Sequence, residues 1–453
     1  MSDRAAPITV LGTGTVGAAG TAVPAAYGAT LVLGARRHLE AADLPPDAER
    51  LVLGPLAPAL DAVAAHLGHP AEGSARTDGG ASTEGGAPAP VPHRRVVVLA
   101  SGDPGFFGIV RALAARFGPE CLAVEPSAPS VAVAFARVGL PWDDAVVVSA
   151  HGRDARTAVN VCRAHPKTAV LTGPGAGPAE LGAALAASGL ARTLVVATAL
   201  GSPRETVRRV TPAQAAEREW PEPVSVVLCL DESAALARAP RTVAGPPSAP
   251  ARWALPDEEF THRDSMLTKY EVRALVLARL GPRTGDLVWD VGAGSGSVGV
   301  ECARLGAAVV AVEQAADGIA RVRANASAHG VAVQAVHGTA PAALAELPEP
   351  DAVFVGGGGR ELPALVTVCA RRARRCVVVT LAALDRVPAV RAALAAEGLA
   401  TDGVLLQSAR LAPLPGDVTR LAATNPVFVL WGTRPGTPAA DSSPAPLPQG
   451  ASS

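Results

Sequence analysis

The sequence predicts an α/β protein whose second half is a Rossmann-like, doubly wound sheet, and three observations carry that reading. Short apolar runs alternate with alanine-rich helical patterns along most of the chain. The run Asp286-Leu-Val-Trp-Asp290 opens into Val-Gly-Ala-Gly-Ser-Gly296, and a helical pattern then runs from Val298 to Leu305. One strand later, Val309-Val-Ala-Val-Glu313 ends in a carboxylate, at the spacing where doubly wound folds hold the ribose of an adenosine.

The first half begins with the strand Ile8-Thr-Val-Leu11, which runs at once into Gly12-Thr-Gly14-Thr-Val-Gly17. Gly12, Gly14 and Gly17 match G-x-G-x-x-G, a weak signal by itself. Further strands are expected at 30–33, 96–100, 146–149, 169–172, 194–197 and 224–228. Residues 68–95, rich in Gly, Ala, Ser, Thr and Pro, cannot bury a core and read as a disordered surface insertion. Ala100-Ser-Gly-Asp-Pro-Gly-Phe-Phe-Gly108 is a second tight loop at a strand end. Its Gly-Asp-Pro offers N–H groups and one carboxylate to a small zwitterion such as methionine, unless Asp103 only stabilises its own turn. Arg36-Arg37, just past the second strand, has the placement of a clamp for the 2′-phosphate of NADP. The first domain is thus expected over 1–231, a linker over 232–254, a second domain over 255–432 and a disordered Pro/Ser/Ala tail over 433–453.

In the second half, glycines at the strand-to-helix turn let bare backbone N–H groups approach a ligand beside a helix N-terminus. Asp290, Gly292, Ala293, Gly294, Ser295 and Gly296 are therefore candidate cofactor residues, with Glu313 on the ribose. The acid directly before the first glycine would repel a dinucleotide's pyrophosphate, so S-adenosylmethionine is the better fit. Gly338-Thr-Ala340 follows the strand 333–336, at the position where adenine sits in this fold, which adds Ala340. The strand 351–355 runs into Gly356-Gly-Gly-Gly359, and close approach of a large planar ligand explains Gly356, Gly357 and Gly358 better than packing does. The position lacks both an Asp-Pro-Pro-Tyr type of sequence and a cysteine, which argues against methylation of nucleobases. Thr268-Lys-Tyr-Glu271 reads as a capping box before the helical run 272–280, or Thr268 touches the cofactor. Lys269 and Arg273, with His262 and Arg263 nearby, either meet substrate carboxylates or form a solvated helix end.

A chain of 453 residues is long enough for two or three domains. The formal net charge of −1 provides no global attraction for nucleic acid or anionic membrane, so an anionic substrate must be met by local basic residues. Among the six cysteines no C-x-x-C pair occurs, which speaks against structural zinc and for a reducing compartment. No N-terminal signal region and no run of ~20 apolar residues is seen, and a soluble, cytoplasmic protein is expected.

These residues resemble the fused precorrin-6Y C5,15-methyltransferase (decarboxylating) family of cobalamin biosynthesis. The first half is similar to the tetrapyrrole methylase superfamily, in its cobalt-precorrin-7 carbon-5 branch. The matching segments are Ile8 to Gly17, Val32-Leu-Gly-Ala-Arg-Arg-His-Leu39, Ser101 to Gly108, Ala134 to Trp142 and Ser149-Ala-His-Gly-Arg153. The second half is similar to the decarboxylating carbon-15 enzyme through Pro256-Asp-Glu-Glu-Phe260, Thr268 to Arg273, Asp290 to Gly296, Phe354 to Gly359 and Asn425-Pro-Val-Phe. The resemblance implies a two-lobed tetrapyrrole methylase fold followed by a class I S-adenosylmethionine methyltransferase domain. It implies that Gly12, Gly14, Ser101, Gly102, Asp103, Phe106 and Ser130 contact the cofactor in the first domain. In the second it implies Thr268, Gly292 to Gly296, Glu313 and Ala340. Val16 stands where an Asp is common, Tyr270 replaces a frequent Glu, and residues 171–177 are unusually glycine-rich.

The implied reaction is methylation of a small-molecule corrin precursor at carbons 5 and 15, with loss of carbon dioxide from the ring-C acetate. The second domain's relatives imply self-association. Methyl transfer from a sulfonium to an electron-rich carbon rests on proximity and orientation rather than acid–base help, so no catalytic acid or base and no metal is assigned. Three alternatives stay open. They are a methyltransferase of RNA or protein, which the near-neutral charge disfavours; an NADP-dependent oxidoreductase fused to a methyltransferase, resting on Gly12 to Gly17 with Arg36-Arg37; and a non-catalytic sensor of an adenosyl ligand.

Overall fold

The structure is a computed structural model and describes residues 6–14, 27–68, 94–151, 153–173, 175–221, 224–236, 244–245, 253–263, 267–357 and 359–436. Gly17, Gly358, most of the 68–95 segment and of the linker, and the tail beyond 436 lie outside them. The chain divides into two compact units. One comprises Met1–Trp142, Val195–Arg209 and Trp220–Leu228, the other Asp143–Leu194, Val210–Glu219 and Cys229–Ser453.

The first unit opens with β1 (Ile8–Thr13), β2 (Leu31–Gly34), α1 (Arg36–Ala41), β3 (Glu49–Val52), α2 (Leu56–Leu67), β4 (Val96–Ser101), α3 (Val110–Phe117), β5 (Leu122–Glu125) and α4 (Ser130–Val138). The five strands form a parallel sheet in the order β3-β2-β4-β1-β5. Ile8, Val10, Leu31, Leu33, Val96 and Val98 pack with Val63 and Leu113 of α2 and α3. Leu11, Val32, Val97 and Leu99 pack in a separate cluster with Leu39 of α1. Both faces of these strands are buried, which is why they read as unbroken apolar runs rather than alternating ones.

The chain continues with β6 (Val146–Ser149), α5 (Ala155–Ala164), β7 (Lys167–Leu171), α6 (Pro178–Ala186), β8 (Thr193–Thr198), β9 (Thr206–Val210), α7 (Pro212–Glu217) and β10 (Val224–Leu230). β10, β8 and β9 lie side by side in that order, and β6 pairs in parallel with β7.

The rest of the second unit is α8 (Tyr270–Leu280), β11 (Leu287–Val291), α9 (Ser297–Arg304), β12 (Ala308–Glu313), α10 (Ala316–Ala328), β13 (Gln334–His337), β14 (Ala352–Val355), α11 (Leu362–Arg372), β15 (Cys376–Leu381), α12 (Val387–Ala396) and β16 (Ala400–Leu406), followed by β17 (Ala409–Leu414), β18 (Val418–Ala423) and β19 (Val427–Thr433). Seven of these strands form one sheet, ordered β13-β12-β11-β14-β15-β19-β16. It is parallel from β13 to β15, and the antiparallel strand β19 lies between β15 and β16, so β16 again runs in the direction of the parallel strands. Trp289, Val310, Val353 and Val377 pack with Leu365 and Val366 of α11 and Leu394 of α12. Val288, Val309, Phe354 and Val378 pack with Val276 and Leu280 of α8 and with Val298 and Cys302 of α9. Strand order reverses between β11 and β14, and doubly wound sheets bind ligands outside the carboxyl ends of the strands at that switch point. β17 and β18 stand apart as an antiparallel hairpin.

At the opposite, amino end of this sheet, α5 docks through charge and shape together. Arg156 forks onto Asp351 with bonds of 2.9 and 2.5 Å, and Asn160 donates to the Gly285 carbonyl at 3.0 Å. Ala164 completes the contact by packing on the sheet's core. Asp351 also accepts the Leu287 N–H at 2.7 Å, so one carboxylate ties α5 to the start of β11.

Replacing Asp351 by Ala strands the Arg156 guanidinium and leaves the Leu287 N–H without its acceptor. The expected loss is about 2 kcal/mol, and Arg156→Ala, which leaves Leu287 satisfied, should cost less. Urea unfolding of the two variants measures that order.

Candidate active sites at the carboxyl ends of the two sheets

In the first unit the sequence-predicted loops meet at the tips of β1 and β4. A Cβ on Gly12 would sit 2.3 Å from the Gly102 carbonyl oxygen and 2.5 Å from the Ser127 nitrogen, so only a bare backbone passes there. Gly102 takes a φ of +62°, gives its N–H to the Thr13 carbonyl, and accepts from Ser127 N–H. Gly102 is packed on Pro129, which places Ser130, the first residue of α4, beside the loop. Gly14 and Ser101 are exposed at the same end, and Phe106 is half-buried against Phe107 with ring centroids 5.0 Å apart. Asp103 Oδ1 accepts the Gly105 N–H at 2.8 Å, so the turn-stabilising reading of this carboxylate holds for that oxygen.

In the second unit Gly292, Gly294 and Gly296 adopt φ of +73°, +58° and +73°, the left-handed region that L side chains avoid. This turn aims the Gly294 N–H at Glu313 Oε2, 2.9 Å away, while the Ala315 N–H holds Oε1 at 2.8 Å. Both oxygens keep a lone pair for a further donor such as a ribose hydroxyl. The tips of β11 and β14 converge: a Cβ on Gly292 would lie 3.7 Å from the Gly357 nitrogen, and one on Gly357 would meet nothing within 4 Å. Gly357 thus borders open space directly beside the glycine turn, whereas a Cβ on Gly356 would lie 3.1 Å from the Phe354 ring and 3.2 Å from the Gly292 carbonyl oxygen. Ala340 is half-buried after β13 and packs on the core, and Gly338 gives its N–H to the Glu313 carbonyl.

Other predicted residues take different roles. Asp290 is buried, only 1% exposed, and its Oδ2 accepts the Gly299 N–H at 2.8 Å, pinning α9 to β11. Among the described residues its buried Oδ1 has no hydrogen-bond partner, and burial pushes the carboxyl up to about 7, opposed by the Gly299 bond and reinforced by the Glu313 charge. Ser295 is buried as well, with Oγ turned to the Ser297 N–H, so it can offer a ligand its backbone only.

Arg273 corrects the sequence reading. It is fully buried, donates to the Thr268 and Leu255 carbonyls, pairs with Asp257 and Glu301 at 3.5 and 3.4 Å, and stacks on Phe260. No substrate carboxylate reaches it there. The capping box is corrected too: α8 starts at Tyr270 with Lys269 as N-cap and no side-chain cap bond. Glu271 binds Arg410 instead. Thr268 stays half-buried, and Lys269 is partly exposed with Nζ 3.8 Å from Asp257. Sequence reading missed Gly299 and Gly318, where a Cβ would come within 2.9 Å of Asp290 Oδ2 and 2.6 Å of Glu313 Cγ. The signal was present as glycines inside the helices that follow each acid.

Among the described residues no helix is long and apolar enough to cross a membrane. The family profile of tetrapyrrole (corrin/porphyrin) methylases matches residues 29–216, and that of the precorrin methyltransferase domain matches residues 258–432. A Sinorhizobium protein named precorrin-6Y C(5,15)-methyltransferase [decarboxylating] is 35% identical over 78% of this chain and 79% of its own length. A Pyrobaculum calidifontis protein named probable cobalt-precorrin-6B C(15)-methyltransferase (decarboxylating) is 38% identical over 39% of this chain and 93% of its own. The crystal structure of the C-terminal domain of precorrin-6Y C5,15-methyltransferase from Rhodobacter capsulatus is 36% identical over 40% of this chain and 97% of that one, with a TM-score of 0.36.

The buried Asp290 carries a pH signature. Its folded value of about 7 lies above the ordinary 3.8, so the folded state holds the proton more tightly than the unfolded chain. The resulting stabilisation is complete below about pH 4 and is lost as pH rises through about 7. Thermal melts should therefore show stability falling from about pH 4 to about pH 7 and levelling above, and Asp290→Asn, which can still accept from Gly299, should flatten that fall. Parallel curves for the two proteins would refute the buried, protonated carboxyl.

Proposed function

The chain belongs to the precorrin-6Y C5,15-methyltransferase (decarboxylating) family, and from that membership we propose that it methylates a precorrin-6-type corrin precursor twice. Residues 1–231 act at carbon 5, and residues 255–432 act at carbon 15 with loss of carbon dioxide from the ring-C acetate. The observation that carries this reading is a tetrapyrrole methylase match and a precorrin methyltransferase match on one chain, the first spanning the Gly102 loop and the second the Gly292 to Gly296 turn.

S-adenosylmethionine is the methyl donor of this proposal, and when bound it supplies an electrophilic methyl group on a sulfonium. The residues fit it. Glu313, held by two backbone N–H groups, would accept from a ribose diol with both oxygens still able to do so, and the left-handed turn bares backbone next to the start of α9. Thr268, Asp290, Gly292 to Gly296, Glu313 and Ala340 hold it in the second domain, Asp290 by fixing the turn rather than by touching it. Gly12, Gly14, Ser101, Gly102, Asp103, Phe106 and Ser130 hold it in the first.

The protein's work is positional. Gly356 and Gly357 would let a flat ring approach the glycine turn, with Lys269 near a ring carboxylate, and their part would be to orient the nucleophilic carbon toward the bound cofactor. The ring's own electrons take up the charge left by decarboxylation, and no side chain need act as acid or base. The same reading makes the protein a soluble cytoplasmic enzyme without nucleic-acid or membrane partners.

Self-association belongs to the proposal. The hairpin β17–β18 exposes Leu411, Leu414, Val418 and Leu421 by 78%, 42%, 54% and 68%, an apolar surface that an isolated hairpin cannot bury by itself.

Mass spectrometry of the protein incubated with S-adenosylmethionine and precorrin-6B should show a product heavier by two methyl groups and lighter by one carbon dioxide. Glu313→Gln should weaken carbon-15 methylation about tenfold or more through S-adenosylmethionine affinity and spare carbon-5 methylation. An unchanged ring with wild-type protein would refute the reaction. Sedimentation of a Leu411→Glu, Leu421→Glu protein should give a smaller species than wild type, and identical profiles would remove the hairpin from any assembly.

A further inference from the structure

Thr13, Arg37, His38 and Ser101 form a polar cluster at the carboxyl ends of β1, β2 and β4. Arg37 Nε lies 3.2 Å from His38 Nε2, and Arg37 Nη2 donates to Ser101 Oγ at 2.9 Å. Ser101 Oγ and Thr13 Oγ are 3.1 and 3.3 Å from the same ring nitrogen, and Thr13 spends its own proton on the Ala100 carbonyl. A guanidinium can only donate, so His38 Nε2 is an acceptor and the ring is the neutral tautomer protonated on Nδ1. Burial, then the Arg37 charge, hold His38 below its ordinary value, which keeps that acceptor in place.

Both partners of Arg37 are therefore neutral. Among the described residues no carboxylate lies within ion-pairing distance of it, whereas Arg137, Arg156, Arg321, Arg371 and Arg410 each have one. The side chain is exposed yet oriented from two sides, and among the described residues three of its five N–H groups stay unspent. A guanidinium ordered in advance, with its charge uncompensated, matches the bidentate geometry of a carboxylate. It stands beside Thr13, between Gly12 and Gly14, and beside Ser101, next to Gly102.

We propose that Arg37 anchors a side-chain carboxylate of the tetrapyrrole substrate in the first unit, with His38 and Ser101 as its positioning residues. The inference rests on the function proposed above. A corrin precursor carries acetate and propionate arms around its rim, and a chain of formal net charge −1 must meet them by local charges. One arm fixed at Arg37 brings the ring edge to the glycine loops of β1 and β4, where carbon 5 is to be methylated.

The test is the steady-state kinetics of both methylations by the full chain, with precorrin-6B and S-adenosylmethionine as substrates. Arg37→Ala should raise the KM for the ring in carbon-5 methylation about ten- to a hundredfold, leaving kcat, the KM for S-adenosylmethionine and carbon-15 methylation near wild type. Arg37→Lys should recover part of the loss. His38→Ala should raise the same KM less, and His38→Gln, whose amide oxygen can accept from Arg37, should restore it. A purely structural role for His38 would instead lower kcat and stability without the KM split. Unchanged ring KM in a folded Arg37→Ala protein would overturn the anchor alone, as would a rise in the KM for S-adenosylmethionine only. Fluorescence titration showing that wild type but not Arg37→Ala binds NADPH would assign the arginine to a phosphate and overturn it too. Wild-type protein that methylates neither carbon would overturn the proposed function and the anchor with it. Loss of carbon-15 turnover would expose a misfolded Arg37→Ala protein, and Arg37→Gln would then decide by the same ring KM.

Discussion

Left-handed backbone at Gly292, Gly294 and Gly296 is the constraint from which the second unit's site follows. An L side chain at such a φ costs about 1–2 kcal/mol per residue, and three in the five positions 292–296 would not be tolerated. With glycine the chain turns sharply enough for the Gly294 N–H to reach Glu313 across the tips of β11 and β12. Gly296 then starts α9 in a direction that delivers the Gly299 N–H to Asp290. The two acids thus have different duties. Glu313 is half-buried and keeps accepting capacity, while Asp290 is sealed in and holds the helix to the strand.

The first unit reaches a comparable strand-tip site by a different restriction. At Gly12 the decisive fact is lack of room, since a single added carbon would overlap the Gly102 carbonyl and the Ser127 amide. Gly102 combines both restrictions, a φ of +62° and packing on Pro129. Backbone from β1, β4 and the segment before α4 is therefore brought together without side chains between. Among the described residues the side chains at this end include the small, polar Thr13 and Ser101 and the larger Arg37, His38, Phe106 and Phe107. That division leaves backbone to meet one ligand and a few selected side chains to meet another.

Much of this was legible in the sequence because the signals were local. Buried parallel strands leave continuous apolar runs, and β1, β2, β4, β6 to β8, β10 and β11 to β14 all fall where such runs stand, within a residue or two at each end. β3 and β5 are missing from that reading because Glu49-Arg-Leu-Val52 and Leu122-Ala-Val-Glu125 are short, charged edge strands. β16 to β18 are largely exposed and interrupted by polar residues, so no apolar run marks them. Arg273 was misjudged for a non-local reason. From sequence it stands near a helix start beside Lys269, but its partners Leu255, Asp257, Phe260 and Glu301 lie far away along the chain. Thr268 and Glu271 likewise have capping-box spacing, yet Arg410 from β17 takes the glutamate.

Charge shows the same limit at the scale of the whole chain. Forty basic residues against forty-one acidic ones suggest a surface indifferent to an anionic ligand. The structure shows where that balance is consumed. Arg273 is sunk in the core with Glu301, Arg375 binds Asp286, and Arg371, Arg321 and Arg410 are each matched to a carboxylate on the surface. Paired charges cancel at short range, and beyond about 10 Å salt screens what is left. Net charge therefore excludes steering by a broad basic face but says nothing about a single arginine held by neutral partners. For a ligand with several carboxylates on a rigid rim, such a residue sets orientation more effectively than a diffuse field, because it binds one arm in one geometry.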